Sequence, residues 1–228
     1  MKNMNTSIII ALDGPAGSGK TTTAKIVADR LGYLYIDTGA MYRAVTYAWL
    51  RENKELNEEE ICELVNDLKI ELKPSENGQK TYLNGNDISD AIRSPEVTGN
   101  VSPVSAIECV RNAMVSQQRK MGQKGGVVMD GRDIGTVVFP NAELKVFFKA
   151  SIEERAKRRA KELIEKGMKV SIEQIRKEIR DRDNYDSTRD ISPLKKADDA
   201  VEIDNSNLTI DEQATIVEML ARKRINHQ

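Results

Sequence analysis

The sequence predicts an α/β fold: a parallel sheet wound with helices, interrupted by a small antiparallel β insert and carrying a helical lid. Three observations predict it. Short apolar, β-branched blocks alternate with segments of helical periodicity along most of the chain, as buried parallel strands and their crossover helices require. Between residues 69 and 84 the period drops to two, which marks the insert. A charged helical stretch from Ser151 breaks at Lys166-Gly167 and restarts at Ser171, which marks a hinged lid.

Ser7-Ile-Ile-Ile-Ala-Leu12 reads as the first strand. Behind it, Gly14-Pro-Ala-Gly-Ser-Gly-Lys20-Thr21 fits G-x-x-x-x-G-K-[ST]. A helix follows to Leu31, with Ala24, Val27, Ala28 and Leu31 at helical spacing and Gly32 as its C-cap. Strand, glycine loop and helix in that order form a P-loop, whose backbone N–H groups and helix dipole attract phosphate. Lys20 would reach the β- and γ-phosphates and the Thr21 hydroxyl would ligate Mg²⁺. Tyr33–Ile36 is the second strand, leading through Asp37-Thr-Gly-Ala-Met-Tyr-Arg43 into a helix to about Leu50, with Trp49 on its apolar face. Asn57 opens another helix carrying Ile61, Leu64, Val65 and Leu68. Lys69–Lys73 and Lys80–Asn84 alternate around a turn at 74–78, and Asn84-Gly85 marks a further tight turn, so residues 70–100 read as a β insert. A helix from Val104 to about Gly122, strands at Val127–Met129, Leu144–Phe148 and Ala200–Ile203, and a closing helix over 209–224 complete the pattern. The kinase-like core spans 1–69 and 101–228, with the lid at about 155–189. Ligands belong outside the carboxyl ends of the strands.

The 228 residues carry 35 basic and 36 acidic side chains, and this balance argues against bulk attraction to nucleic acid. No stretch approaches membrane-spanning length, and the polar start at Met1–Ser7 leaves no room for a signal peptide. Cys62 and Cys109, solitary and far apart in sequence, read as free thiols in a reducing cytoplasm. His227 is the only histidine and sits at the C-terminus, which excludes histidine-based catalysis and histidine metal sites.

Three short motifs fall just after strand ends. The P-loop is the first. In the second, Thr38 is a default N-cap, whereas Arg43, one turn into the helix, lies near any phosphate at its N-terminus. The third, Asp130-Gly131-Arg132-Asp133, packs two carboxylates and a guanidinium directly behind a buried strand. Residues 149–189 add 13 Lys/Arg against 9 Asp/Glu, including Arg155, Arg158, Arg159, Arg180, Arg182 and Arg189. Guanidinium forks stabilise the spread charge of a transferring phosphoryl group, and a lid keeps water from intercepting it. An acceptor that is already an anionic phosphate needs no catalytic base. A GTPase would want Asn-Lys-x-Asp, but Asn53-Lys54 runs on into Glu-Leu.

Residues 13–21, Ile36–Arg43, Asp130-Gly-Arg-Asp-Ile-Gly-Thr-Val-Val-Phe-Pro140 and Arg180-Asp-Arg-Asp183 together resemble bacterial cytidylate kinases over nearly the whole chain, the β insert included. The resemblance implies an enzyme that transfers the γ-phosphate of ATP to CMP or dCMP with Mg²⁺; the chain is further expected to be a cytoplasmic monomer. Gly14, Pro15, Ala16, Gly17, Ser18, Gly19, Lys20, Thr21 and Thr22 match the ATP loop. Arg43, Arg132 and Arg189 match arginines that bind the monophosphate. Ser102, Arg111 and Asp133 match residues around the cytosine, and Arg182 and Asp186 match those near the ribose and lid. Arg158 and Arg159 match lid arginines that approach ATP. Asp130 falls within the acceptor motif, and Thr38 stands where many members have Ser, keeping the hydroxyl. Another small-acceptor kinase, for uridylate or shikimate, and a nucleotide-dependent switch are the rival readings.

Overall fold

The computed structural model describes residues 7–52, 56–75, 78–165 and 167–227. The polar start, Asn53-Lys54, the middle of the 74–78 turn and Lys166 of the lid break therefore lie outside the described residues, at least in part. Strand β1 (Ile9–Asp13) lies at the centre of a five-stranded sheet. It is flanked on one side by β6 (Val127–Gly131) and β2 (Leu34–Asp37), and on the other by β7 (Leu144–Lys149) and β8 (Val201–Asp204). All four pairings are parallel. Parallel pairing brings Asp13, Asp37 and Asp130 to the same edge, since Asp37 pairs in register with Asp130 and Asp13 with Gly131.

Helices α1 (Lys20–Leu31) and α8 (Ile210–Ile225) cover one face through Ala24, Val27, Val217 and Ala221 against Ile10, Leu12 and Val146. Gly32 ends α1 in the left-handed conformation, as the sequence predicts. A second core gathers α2 (Thr38–Glu52), α3 (Glu58–Asp67) and α5 (Glu108–Gly122), with Trp49 buried among Met41, Val45 and Ile61. The Asn57 side chain caps α3 by accepting from Glu59 N and Glu60 N.

The insert differs from the sequence expectation at its far end. Strands β3 (Ile70–Ser75), β4 (Gly78–Leu83) and β5 (Asn86–Asp87) form the antiparallel sheet, which stops at Asp87. Residues Ala91–Arg93 make a 3-10 turn, and α4 runs from Pro95 to Ala106. What the sequence reads as one helix from Val104 is thus two, divided at Ile107. The reason is local: Ser94 caps Val97 N, Pro95 occupies the first turn, and Val97, Val101 and Val104 form a buried stripe.

The cysteines are a second correction. Cys62 of α3 and Cys109 of α5 are joined by a disulfide, their Cα atoms 5.7 Å apart. The two helices pack side by side, so a separation of 47 residues in sequence closes in space. The free-thiol argument for a reducing compartment falls with it.

Beyond β7, α6 (Ile152–Glu165) and α7 (Ile172–Thr188) fold back on each other. Ser171 caps α7, and Gly167 turns the chain at φ +77°, a backbone that favours glycine. Ala156, Ala160, Ile175 and Ile179 make a small core of their own, separate from those under the sheet. Polar contacts do much of the work of tying such a hairpin to the body, so it should open at lower cost than the sheet. Amide exchange across about 155–189 should slow markedly when CMP and an unreactive ATP analogue are both bound; unchanged exchange at saturating ligand would mean a static hairpin.

Candidate active site

The loop from Gly14 to Gly19 wraps from β1 to α1. Gly14 sits at φ +147°, and a Cβ there would lie 2.6 Å from the Phe148 carbonyl oxygen, so the loop's first turn requires glycine. Behind the loop, Asn205 fixes its floor by donating to Ser18 O (2.6 Å) and to Gln213 Oε1 (2.8 Å), which also accepts from Thr23 Oγ1 (3.1 Å). Lys20 is buried and donates to Pro15 O at 2.8 Å. Burial, and then Arg132, lower its pKa well below the ordinary lysine value, while Asp130 and Asp13 oppose the fall. Thr22, also expected in the ATP loop, is exposed.

Asp130 joins the loop to the second strand. Its Oδ2 accepts from Thr21 Oγ1 at 2.7 Å, its Oδ1 from Tyr35 OH at 2.8 Å, and its backbone carbonyl from Thr38 Oγ1 at 2.7 Å. Burial raises the Asp130 pKa, with Asp37 adding to the rise. The cap of α2 is Asp37 rather than Thr38: Asp37 Oδ1 accepts from Ala40 N at 2.9 Å. Its Oδ2 meets Arg43 at 3.0 Å and Arg93 at 3.4 Å. Burial alone would raise the Asp37 pKa, but the two guanidinium groups outweigh it.

Arg132 donates from Nε to Asp186 Oδ2 at 2.9 Å, and Arg189 lies 3.9 Å from the same carboxyl group. Asp186 is held below the usual carboxylate range: Arg132 and Arg182 outweigh its burial. Arg182 is lowered to about 10 by burial and by Arg132. Asp133 does not pair with its neighbour Arg132. It pairs with Arg111, a fully buried arginine on α5 that also donates to Ser105 O (2.9 Å) and lies over the Tyr42 ring. The Nε of Arg111 and the hydroxyl of Tyr42 are buried without partners, and burial, then Asp133, push Tyr42 up to about 12.

The lid reaches the loop through Arg158, which donates to Asn205 O (2.7 Å) and Ser18 O (3.4 Å), and through Arg155, which donates to Ala16 O (3.1 Å) and pairs with Asp183. Arg159 points elsewhere, pairing with Glu162 on the exposed side of α6. Arg180 is exposed, and Ser102, half-buried on α4, contributes its carbonyl to Ser105 Oγ. The structure therefore gathers Lys20, Thr21, Thr38, Arg43, Asp130, Arg132, Arg182, Asp186 and Arg189, sets Arg111 with Asp133 beside them, and leaves Arg159 out.

Several members escaped sequence reading. Tyr35 lies in a segment that reads simply as strand and Gln79 between the predicted turn and strand of the insert, yet Gln79 bridges insert and core, donating to Tyr35 O (2.7 Å) and accepting from Asp37 N (3.1 Å). Arg93 gave no signal because its role comes from the turn that swings it onto Asp37. Only Asp37, already inside a recognised motif, could have been singled out.

Among the described residues no helix is long and apolar enough to cross a membrane. A family profile described as cytidylate kinase matches residues 10–223. The chain belongs to the cytidylate kinase family. A cytidylate kinase of Bacillus thuringiensis (strain Al Hakam) is 54% identical over 210 residues, covering 92% of this chain and 93% of its own. One from Bacillus anthracis (strain A0248) is similar to the same extent. Among solved structures, an uncharacterized protein of Eubacterium ventriosum ATCC 27560 aligns with a TM-score of 0.50 at 12% identity, covering 98% of this chain and 100% of that one, which is a likeness of fold alone. As a cytidylate kinase family member the chain is an ATP-dependent nucleoside monophosphate kinase that phosphorylates CMP or dCMP.

The Arg132–Asp186 contact ties the acceptor cluster to the lid. Asp186→Asn keeps the shape but removes the charge, and should raise the KM for CMP by about tenfold while leaving affinity for an ATP analogue unchanged. Equal losses for both nucleotides, measured by initial rates and direct titration, would mean that Asp186 serves folding only.

Proposed function

We propose that transfer is direct and in line, between ATP held in the P-loop and CMP held by Arg43, Arg132, Arg182 and Arg189. One observation carries this reading. Asp130 accepts from Thr21 of the ATP loop at 2.7 Å and, through its carbonyl, from Thr38 of the second motif at 2.7 Å, so donor and acceptor sides meet at one residue and both phosphates would lie among Lys20, Arg132 and Arg182. Lys20 would hold the transferring phosphoryl oxygens, and Arg158 would cover them as the lid closes. Asp37 orients Arg43, and Asp186 orients Arg132, which spares each guanidinium the cost of ordering when the acceptor arrives.

The donor set also suits Mg²⁺. Thr21 Oγ1 and Asp130 Oδ2 are hard oxygen donors 2.7 Å apart. Among the described residues no group of three or more His, Cys, Asp or Glu could hold a metal alone, so phosphate oxygens and water would complete the shell. Bound there, Mg²⁺ would neutralise charge on the phosphates.

Asp133 and Arg111 would read the base. Cytosine offers an N4 amino donor and acceptors at O2 and N3, matching an acceptor-only carboxylate and a donor-only guanidinium. Uracil reverses the first match with O4 and removes one of the acceptors by protonating N3. The lid over 155–189 and the insert over 70–100, latched by Gln79 and Arg93, would close on donor and acceptor around the core of 1–69 and 101–228. We further take the enzyme to be a cytoplasmic monomer without nucleic-acid partners, a reading supported by its near-neutral charge and its bacterial relatives.

Two measurements check this. Lys20→Ala should fold and lose on the order of 10²–10³ in kcat, the cost of a preorganised contact to the transferring group; a folded variant within a few-fold of wild type would remove Lys20 from the chemistry. With ATP and Mg²⁺, CMP should be preferred over UMP by roughly 10²-fold or more in kcat/KM. Asp133→Asn, whose NH₂ can turn toward O4, should narrow that gap. If CMP and UMP turnover fall by the same factor, Asp133 does not read the base.

A further inference from the structure

Asp13, the last residue of β1, is buried at 5% exposure and takes no part in the transfer described above. Its two carboxylate oxygens reach across the sheet edge to successive backbone amides. Oδ1 accepts from Ile134 N at 2.9 Å, and Oδ2 accepts from Gly135 N at 2.8 Å. These amides open the single π-helical turn Ile134–Val138, directly behind Asp133. Residue 133 itself adopts φ −145° and ψ 25°, neither strand nor helix, so no regular ladder fixes it. Its carbonyl accepts from Val137 N (2.8 Å) and Val138 N (3.2 Å) within the turn, and the Asp13 carboxylate holds the start of that turn through the two amides just behind it.

We propose that Asp13 is a positioning residue that sets the base-reading carboxylate of Asp133, and with it acceptor selectivity, from the strand that carries the ATP loop. The inference rests on the reading of Asp133 given above. Its physical basis is a rigid link of two residues. The carboxylate is anchored on the central strand, and the amide it holds belongs to the neighbour of the reading residue, so a shift at either end moves the Asp133–Arg111 pair. Two charged groups bear on Asp13: Lys20 faces it from α1 and favours its ionised form, while Asp133 disfavours it. Lys145 of β7 presents only its methylenes to Gly135, its ammonium donating to Pro140 O and Asp199. Burial dominates, raising the Asp13 pKa to about 6 against the pull of the two amides.

Asp13→Asn keeps the shape but leaves one acceptor oxygen for two N–H donors, its own NH₂ opposing the second. Two readouts should move together while a third stays fixed. The ratio of kcat/KM for CMP to that for UMP should narrow by about tenfold. Hydrogen exchange at Ile134 and Gly135 should accelerate. Affinity for an unreactive ATP analogue, measured without acceptor, should stay within about twofold. A ratio that does not move, or exchange at the two amides that does not change, would overturn the proposal.

Asp133→Asn, run in parallel, separates this inference from the reading beneath it. If Asp133→Asn narrows the ratio and Asp13→Asn does not, Asp133 reads the base and Asp13 does not position it. If neither narrows the ratio, both fall. If only Asp13→Asn does, the clamp stands and the base is read by another group on the same loop. Should Asp13→Asn not fold, the ligand-free wild-type protein carries the test. The amides of Ile134 and Gly135, both held by one carboxylate, should be protected from exchange and should shift together wherever Asp13 is protonated. Exchange at the two amides as fast as in exposed backbone, or shifts that follow different midpoints, would overturn the clamp.

Discussion

Lys20 and Arg182 are both driven down in pKa by burial and by the nearby Arg132, although carboxylates surround them. Burial is the larger cause of both shifts and the neighbouring guanidinium the second, so the site holds cationic side chains close together where little water reaches them. The contacts around the cluster follow from holding those charges in place. Asp186 and Asp37 each pair with more than one arginine, and Lys20 falls back on the Pro15 carbonyl. Such a site favours polyanions, and closing it over two phosphates sets their negative charge against these cations.

The sheet makes this arrangement possible. Because β1, β2 and β6 are parallel and in register, their carboxyl ends emerge side by side, and an aspartate at the end of β1, the end of β2 and the next-to-last position of β6 each has a different task. Asp13 holds the backbone after Asp133, Asp37 holds Arg43 and caps α2, and Asp130 holds the Thr21 and Tyr35 hydroxyls. Separation of roles depends on what each carboxylate meets: amides, guanidinium groups or hydroxyls. Asp13 and Asp130 are raised in pKa by burial, whereas Asp37 is lowered by its arginines.

The alternation of strands and helices, the P-loop and the lid break were legible because each rests on local rules: β-branched runs, glycine spacing and helix caps. The start of α4 was not, because Pro95, Gly99 and Asn100 look like turn residues until a buried valine stripe fixes them as helix. The Cys62–Cys109 bond was hidden for the same reason that Arg93 was, since both depend on which helices pack together. Arg159 shows the opposite failure: it follows Arg158 in the motif, but one residue along a helix turns a side chain by about 100°, away from the loop and toward Glu162. At Asp133 the sequence neighbour Arg132 looked like the natural partner. The backbone instead sends Arg132 to the lid and Asp133 to Arg111.

The cost of holding the Lys20 charge in its buried site is tested most directly by the melting temperature of Lys20→Met, with and without ATP. The folded state holds the Lys20 proton less readily than the unfolded chain does, so below the ordinary lysine pKa of about 10.4 the charge costs stability. Near pH 7 the ligand-free variant should therefore melt above the wild type, and ATP should no longer raise its Tm appreciably. A variant that melts below the wild type and keeps the full ATP-induced rise would contradict the account.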